Sequence, residues 1–127
     1  MIKRIHHIAI IASNYQASKK FYTEVLGLEI VAETFRIERN SFKLDLAFNG
    51  QYQIELFSFP NSPARSSYPE ATGLRHLAFS ITDFDPFIAR LRKKGVIVEP
   101  IRIDELTEKK FTFIEDPDKL PIEFYEI

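Results

Sequence analysis

Cysteine is missing from this chain. That absence excludes a disulfide scaffold, a thiolate metal centre and nucleophilic chemistry through a thiol. A charge excess is missing as well: 17 Lys and Arg stand against 18 Asp and Glu, for a net charge of −1. Nucleic acid and anionic membranes call for a basic face, so neither is expected as a partner. Lys19 and Lys20, and likewise Arg92, Lys93 and Lys94, read as solvated helix faces. No run approaches the ~20 consecutive apolar residues of a membrane helix. The opening MIKRIHHIAIIASN leads into a helix signal instead of a small-residue cleavage site, so the expected location is cytoplasmic. What remains is 127 residues, 45% apolar and 28% charged, a globular balance that fits one domain.

An internal repeat organises those residues. HHIAI near the start is echoed by RHLAF, His7 answering to His76 at an offset of 69 (76 − 7). Gly27 answers to Gly95 at 68 (95 − 27), and Glu55 to Glu123 at 68 (123 − 55). Landmarks in the same order at nearly one offset mark a duplicated module. The segments between them repeat too. IKRIHHIAIIA and LRHLAFSIT read as strands. After the first, Ser13 or Asn14 can cap a helix with Ala17, Phe21, Val25 and Leu28 on its buried stripe. After the second, Asp85 and Pro86 form an N-cap and first-turn pair ahead of Phe87, Ile88 and Leu91. Gly27 and Gly95 close the two helices.

Three strand candidates follow each helix: LEIVAETF, FKLDLAF and QYQIELFSF, then VIVEPIRI, KFTFIED and LPIEFYEI. Asn49-Gly50 and DPDK supply turns between the last two of each set. The expected fold is therefore α+β, with two tandem β-α-β-β-β modules in a single domain over 1–127. Module one covers about 1–59, a Pro- and Ser-rich linker about 60–73, and module two about 74–127.

On a strand, alternate residues share a face. His7 points with Ile5, Ala9 and Ile11, His6 with Ile8 and Ile10 to the other side, and His76 with Leu74, Ala78 and Ser80. Glu55 lies between Ile54 and Leu56, and Glu123 between Ile122 and Phe124, so each carboxylate opposes a pair of core-type residues. An unpartnered inward carboxylate would cost several kcal/mol or take up a proton. A lone strand His ordinarily fills a core or surface position, and His6 is read that way. A lone Glu ordinarily faces water. The matched register in both modules favours a divalent metal held by His7, Glu55, His76 and Glu123, with Zn, Ni, Fe, Mn and Co all compatible with such donors. Phe57 and Tyr125, two residues beyond the glutamates, are candidate cavity walls.

HHIAIIASNYQASKKFYTEVLGLEI resembles the opening strand, helix and FY...LG turn of the vicinal oxygen chelate superfamily, in particular glyoxalase I and its relatives. FTFIEDPDKLPIEFYEI resembles its closing hairpin, with Lys119 where the family's turn usually has Gly. The resemblance implies paired modules curling around a metal cleft, with Glu at both carboxylate positions as in glyoxalase I. Extradiol dioxygenases of the superfamily generally use two His and one Glu.

It further implies a glyoxalase-like lyase or isomerase of the lactoylglutathione lyase type. Its substrate would be a small molecule with adjacent oxygens, such as a 2-oxoaldehyde thiol adduct, reacting through a metal-stabilised enediolate. Glu55 or Glu123 would act as base and then acid. A homodimer is implied as well, with the site formed within one chain or across two. The Arg and Asn with which bacterial glyoxalase I enzymes hold glutathione fall at Ile11 and Phe59, which cannot bind a carboxylate. That leaves Arg36, Arg65 and Arg75 as candidate anion contacts. Competing readings are an epimerase or thiol transferase of the same superfamily, and a non-catalytic ligand-binding module of the bleomycin-resistance kind.

Overall fold

The computed structural model describes residues 1–127. The chain divides into two compact units, Met1–Ala64 and Arg65–Ile127. Each is a β-α-β-β-β module, so the architecture is α+β with two tandem copies. No helix is long and apolar enough to cross a membrane.

In the first module, β1 (Ile8–Ala12) is followed by α1 (Tyr15–Lys20), and then by β2 (Glu29–Arg36), β3 (Ser41–Phe48) and β4 (Gln51–Ser58). The spatial order is β1-β4-β3-β2. The three later strands form an antiparallel meander, and β1 pairs parallel with the last of them. A parallel partner cannot be reached by a tight hairpin, and the helix supplies part of the crossover. Asn14 starts that helix, its side-chain oxygen accepting from the Ala17 N–H at 3.1 Å.

The chain then widens into a π-helical turn over Phe21–Val25. This turn shifts the phase of the buried stripe. Tyr15, Ser18, Phe21, Tyr22 and Leu28 are buried, and Ala17, expected on the stripe, is exposed. Tyr15 stacks on Phe42 of β3 at 4.4 Å, and Leu44, Leu46, Ile54 and Leu56 fill the core of this module.

The second module repeats the plan with β5 (Leu77–Ile81), α2 (Phe84–Lys93), β6 (Arg102–Ile103), β7 (Lys110–Glu115) and β8 (Pro121–Glu126), in the order β5-β8-β7-β6. Its helix begins at Phe84, ahead of the Asp85-Pro86 pair, and buries Phe84, Ile88 and Leu91. Gly95 ends it at φ 82°: its N–H reaches the Arg92 carbonyl at 3.0 Å and the Val96 N–H reaches that of Leu91 at 3.1 Å. These two bonds make a Schellman cap, whose left-handed residue favours Gly.

The VIVEPIRI stretch yields only the two-residue β6, because Pro100 brings no N–H to a ladder. Isolated bonds still tether it: Glu99 donates its N–H to the Phe113 carbonyl at 3.0 Å and accepts from Thr112 Oγ1 at 2.8 Å.

The β3–β4 and β7–β8 turns both use left-handed residues. Asn49 and Gly50 have φ 48° and 69°, the signature of a two-residue primed turn. In the closing hairpin it is Lys119 that sits at φ 64°. Its N–H meets the Asp116 carbonyl at 2.9 Å, and its own carbonyl accepts from Ser67 Oγ at 2.6 Å. A side chain in that conformation is costly, so Lys119→Gly should stabilise the protein by about 0.5–1 kcal/mol after the extra unfolded-state entropy of Gly is counted. Urea denaturation checks this. An unchanged midpoint would mean that the surrounding hydrogen bonds alone set the turn.

Candidate metal centre

The parallel pairs β1·β4 and β5·β8 position the donors. Ala9 lies opposite Glu55 and Ala78 opposite Glu123. A methyl side chain opposite each carboxylate leaves room for the imidazole two residues earlier to reach it. His7 Nε2 stands 2.7 Å from Glu55 Oε2, and His76 Nε2 stands 3.0 Å from Glu123 Oε2. The four sequence-predicted donors are thus brought together as two matched His–Glu pairs, one in each module. No group of three or more His, Asp or Glu side chains in the chain is placed so that it could hold a metal ion.

The surroundings of the pairs differ. Glu55 is buried at 8% exposure. Its Oε1 faces Lys43 Nζ at 2.9 Å, and that ammonium also pairs with Asp45 Oδ1 at 3.0 Å. Asp45 and Glu55 are cross-strand partners, and without Lys43 their like charges would repel. Tyr52 donates its hydroxyl to Glu55, and its ring stacks 6.0 Å from that of His7. Tyr52 has the same parity as core residue Ile54. It turns to the Glu55 face because the register shifts between Leu46 and Ala47, where Gln53 is the extra residue of a β-bulge.

Burial alone would push the Glu55 carboxyl up, but Lys43, Tyr52 and His7 together hold it below the ordinary carboxylate range. The same pairing raises the Lys43 ammonium, through its bonds to Glu55 and Asp45. Burial and the bond to Glu55 push Tyr52 up to about 12.

In the second module the matching strand positions hold Phe111 and Phe113 in place of Lys43 and Asp45. Phe113 is the cross-strand partner of Glu123, and its ring lies edge-on to His76 at 5.2 Å. Glu123 therefore has His76 beside it and no ammonium.

His6 departs from the alternation rule. It was expected on the opposite side from His7, yet its Nδ1 lies 2.9 Å from His7 Nδ1 and its ring 5.7 Å from that of Tyr52. Strand β1 starts only at Ile8, so neither histidine is bound by the strand's two-residue period. Of the two candidate walls, Phe57 carries the Arg36 guanidinium 4.8 Å above its ring, while the Tyr125 hydroxyl donates to Asp104 Oδ2 at 2.8 Å.

The sequence model of the Glyoxalase/Bleomycin resistance protein/Dioxygenase superfamily matches residues 4–124. The chain belongs to that superfamily. Among its members, protein YwkD of Bacillus subtilis (strain 168) is 56% identical over 126 residues, covering 99% of this chain and 98% of that protein. The metallothiol transferase FosB of Staphylococcus epidermidis is 30% identical over 128 residues, covering 98% and 84% respectively. The crystal structure of a glyoxalase family protein from Enterococcus faecalis superimposes with a TM-score of 0.89 at 52% identity, covering 98% of both chains.

The Lys43 contacts generate a test on metal-free protein. Lys43→Met leaves the Asp45 and Glu55 carboxylates facing each other, and should cost about 1–3 kcal/mol at neutral pH. Glu55 has a depressed folded-state pKa, so its contribution is present above its unfolded value near 4.3 and is lost as pH falls through the folded one. The deficit of the variant should accordingly narrow as pH drops through about 4. Urea denaturation at neutral and acid pH checks it, and a deficit independent of pH would sink the electrostatic explanation.

Proposed function

We propose that this chain is a metal-dependent enzyme of glyoxalase type. Its site is built from His7, Glu55, His76 and Glu123, and it acts as a lyase or isomerase on a small substrate with adjacent oxygens. The single observation that carries the reading is the duplicated His–Glu pairing, at 2.7 and 3.0 Å and in matching strand register. Imidazole nitrogen and carboxylate oxygen are donors that borderline divalent cations accept. One pair supplies fewer protein ligands than a catalytic ion ordinarily has. Both modules must therefore contribute, from one chain or from two copies of it.

A divalent ion, when bound, supplies positive charge where negative charge develops as a carbon-bound proton leaves. The chain's own groups divide the remaining work. Glu55 is anchored through Oε1 by Lys43 and by the Tyr52 hydroxyl, which suits a fixed ligand. Glu123 has no such ammonium and is the carboxylate free to take a proton and return it to the neighbouring carbon. His7 and His76 hold their partners through Nε2. A thiol transferase is the second reading, favoured by the 30% identity to FosB.

The test combines metal analysis with assays of methylglyoxal adducts of several thiols. Purified protein should take up a divalent metal, and His7→Ala and His76→Ala should each bind it more weakly. Glu55→Gln and Glu123→Gln should both lose turnover, Glu123→Gln by at least about 100-fold. Failure to take up metal contradicts the whole reading. Turnover only with an electrophile and a separate thiol would favour the transferase.

A further inference from the structure

The Glu55 face of module one continues toward Phe57 and Phe59, and there the charge changes character. Arg36 lies 4.8 Å over the Phe57 ring and 5.6 Å over that of Phe59, while Arg39 lies 5.3 Å from the same Phe59 ring. Two guanidinium groups thus share one aromatic support. Neither forms an ion pair with a carboxylate. Arg36 is fixed by donating from one terminal nitrogen to Ser41 Oγ at 3.0 Å, and its buried Nε has no hydrogen-bond partner. Stacking on an aromatic face orients a guanidinium without neutralising it. Two like charges beside one ring, neither paired with a carboxylate, offer guanidinium donors suited to an oxyanion.

The other candidate anion contacts are already engaged. Arg65 donates to the carbonyls of Leu74 and Arg75 and to Ser67 Oγ. Arg75 is paired with Glu70 at 3.6 Å and leans on the Tyr68 ring.

We propose that Arg36 and Arg39 form the anion-binding end of the substrate site, taking the carboxylate, phosphonate or phosphate group of a small molecule whose oxygenated end reaches Glu55. At ~3.3 Å per strand residue, Phe57 and Phe59 stand roughly 7 and 13 Å along the chain from Glu55. The substrate therefore spans about 10 Å between its oxyanion and its reacting oxygens. In this assignment residue 59 holds the anion indirectly, as the platform beneath two arginines. The inference rests on the proposed function for the direction in which the substrate lies, but the arginine pair needs no metal.

The test is a titration of EDTA-treated protein with inorganic phosphate, methylphosphonate and acetate in separate arms, following the arginine Nε–Hε signals by NMR. Saturable shifts at Arg36 and Arg39 are expected, and the tightest arm names the anionic group. Arg36→Met and Arg39→Gln should each weaken binding about tenfold, which corresponds to about 1.4 kcal/mol. Arg36→Lys, which keeps the charge and the stem, should bind more tightly than Arg36→Met and guards against loss through misfolding. Absence of saturable shifts in every arm, or equal affinity in the Met and Gln variants, overturns the proposal even if the protein binds metal. Anion binding in a protein that takes up no metal would support the arginine pair while contradicting the proposed function.

Discussion

The contact between a histidine ahead of the first strand and a glutamate on the last is the constraint on which each module depends. It requires β1 to lie beside β4, and β5 beside β8, in parallel. Parallel neighbours need a crossover, and α1 and α2 occupy those crossovers. The helices also cover one face of each sheet, where Leu44, Leu46, Ile54 and Leu56 are buried in the first copy and Ile122 and Phe124 in the second. The opposite face is then free to carry charge, and a carboxylate can sit opposite an alanine in both.

Duplication gave two copies of this geometry, and divergence made them unequal. The first copy surrounds its carboxylate with an ammonium, a second carboxylate and a phenol. The second surrounds its carboxylate with aromatic edges. One carboxylate is thus anchored by an ammonium and the other is not. The arginines over Phe57 and Phe59 extend the same inequality along the first sheet.

Much of this was legible in the order of residues. The Gly and Glu landmarks of the repeat fall at the helix end and strand they implied, the two histidines stand one residue ahead of their strands, and Asn49-Gly50 turns where expected. Other features depend on geometry that a two-residue or 3.6-residue period does not carry. Ala17 is off the buried face because that face runs through Tyr15, Ser18 and Tyr22, and a π-helical turn shifts the phase beyond Phe21. Tyr52 reached Glu55 through a bulge at Gln53 that alternation could not foresee. His6 came to lie against His7 because β1 begins only at Ile8, beyond both histidines, and not at Ile2 where its composition suggests. Lys43 and Asp45 did leave a signal, alternating with Leu44 and Leu46 in FKLDLAF. A charged residue in such a pattern reads as solvated, however, and only the strand register puts it beside a buried carboxylate.

The most direct test of the central claim is X-ray absorption at the metal edge of protein reconstituted with cobalt or zinc. Two imidazole scatterers together with carboxylate oxygens are predicted, falling to one imidazole in His76→Ala. A shell made only of oxygen, or one unchanged by removal of either histidine, would contradict a centre built from the two His–Glu pairs.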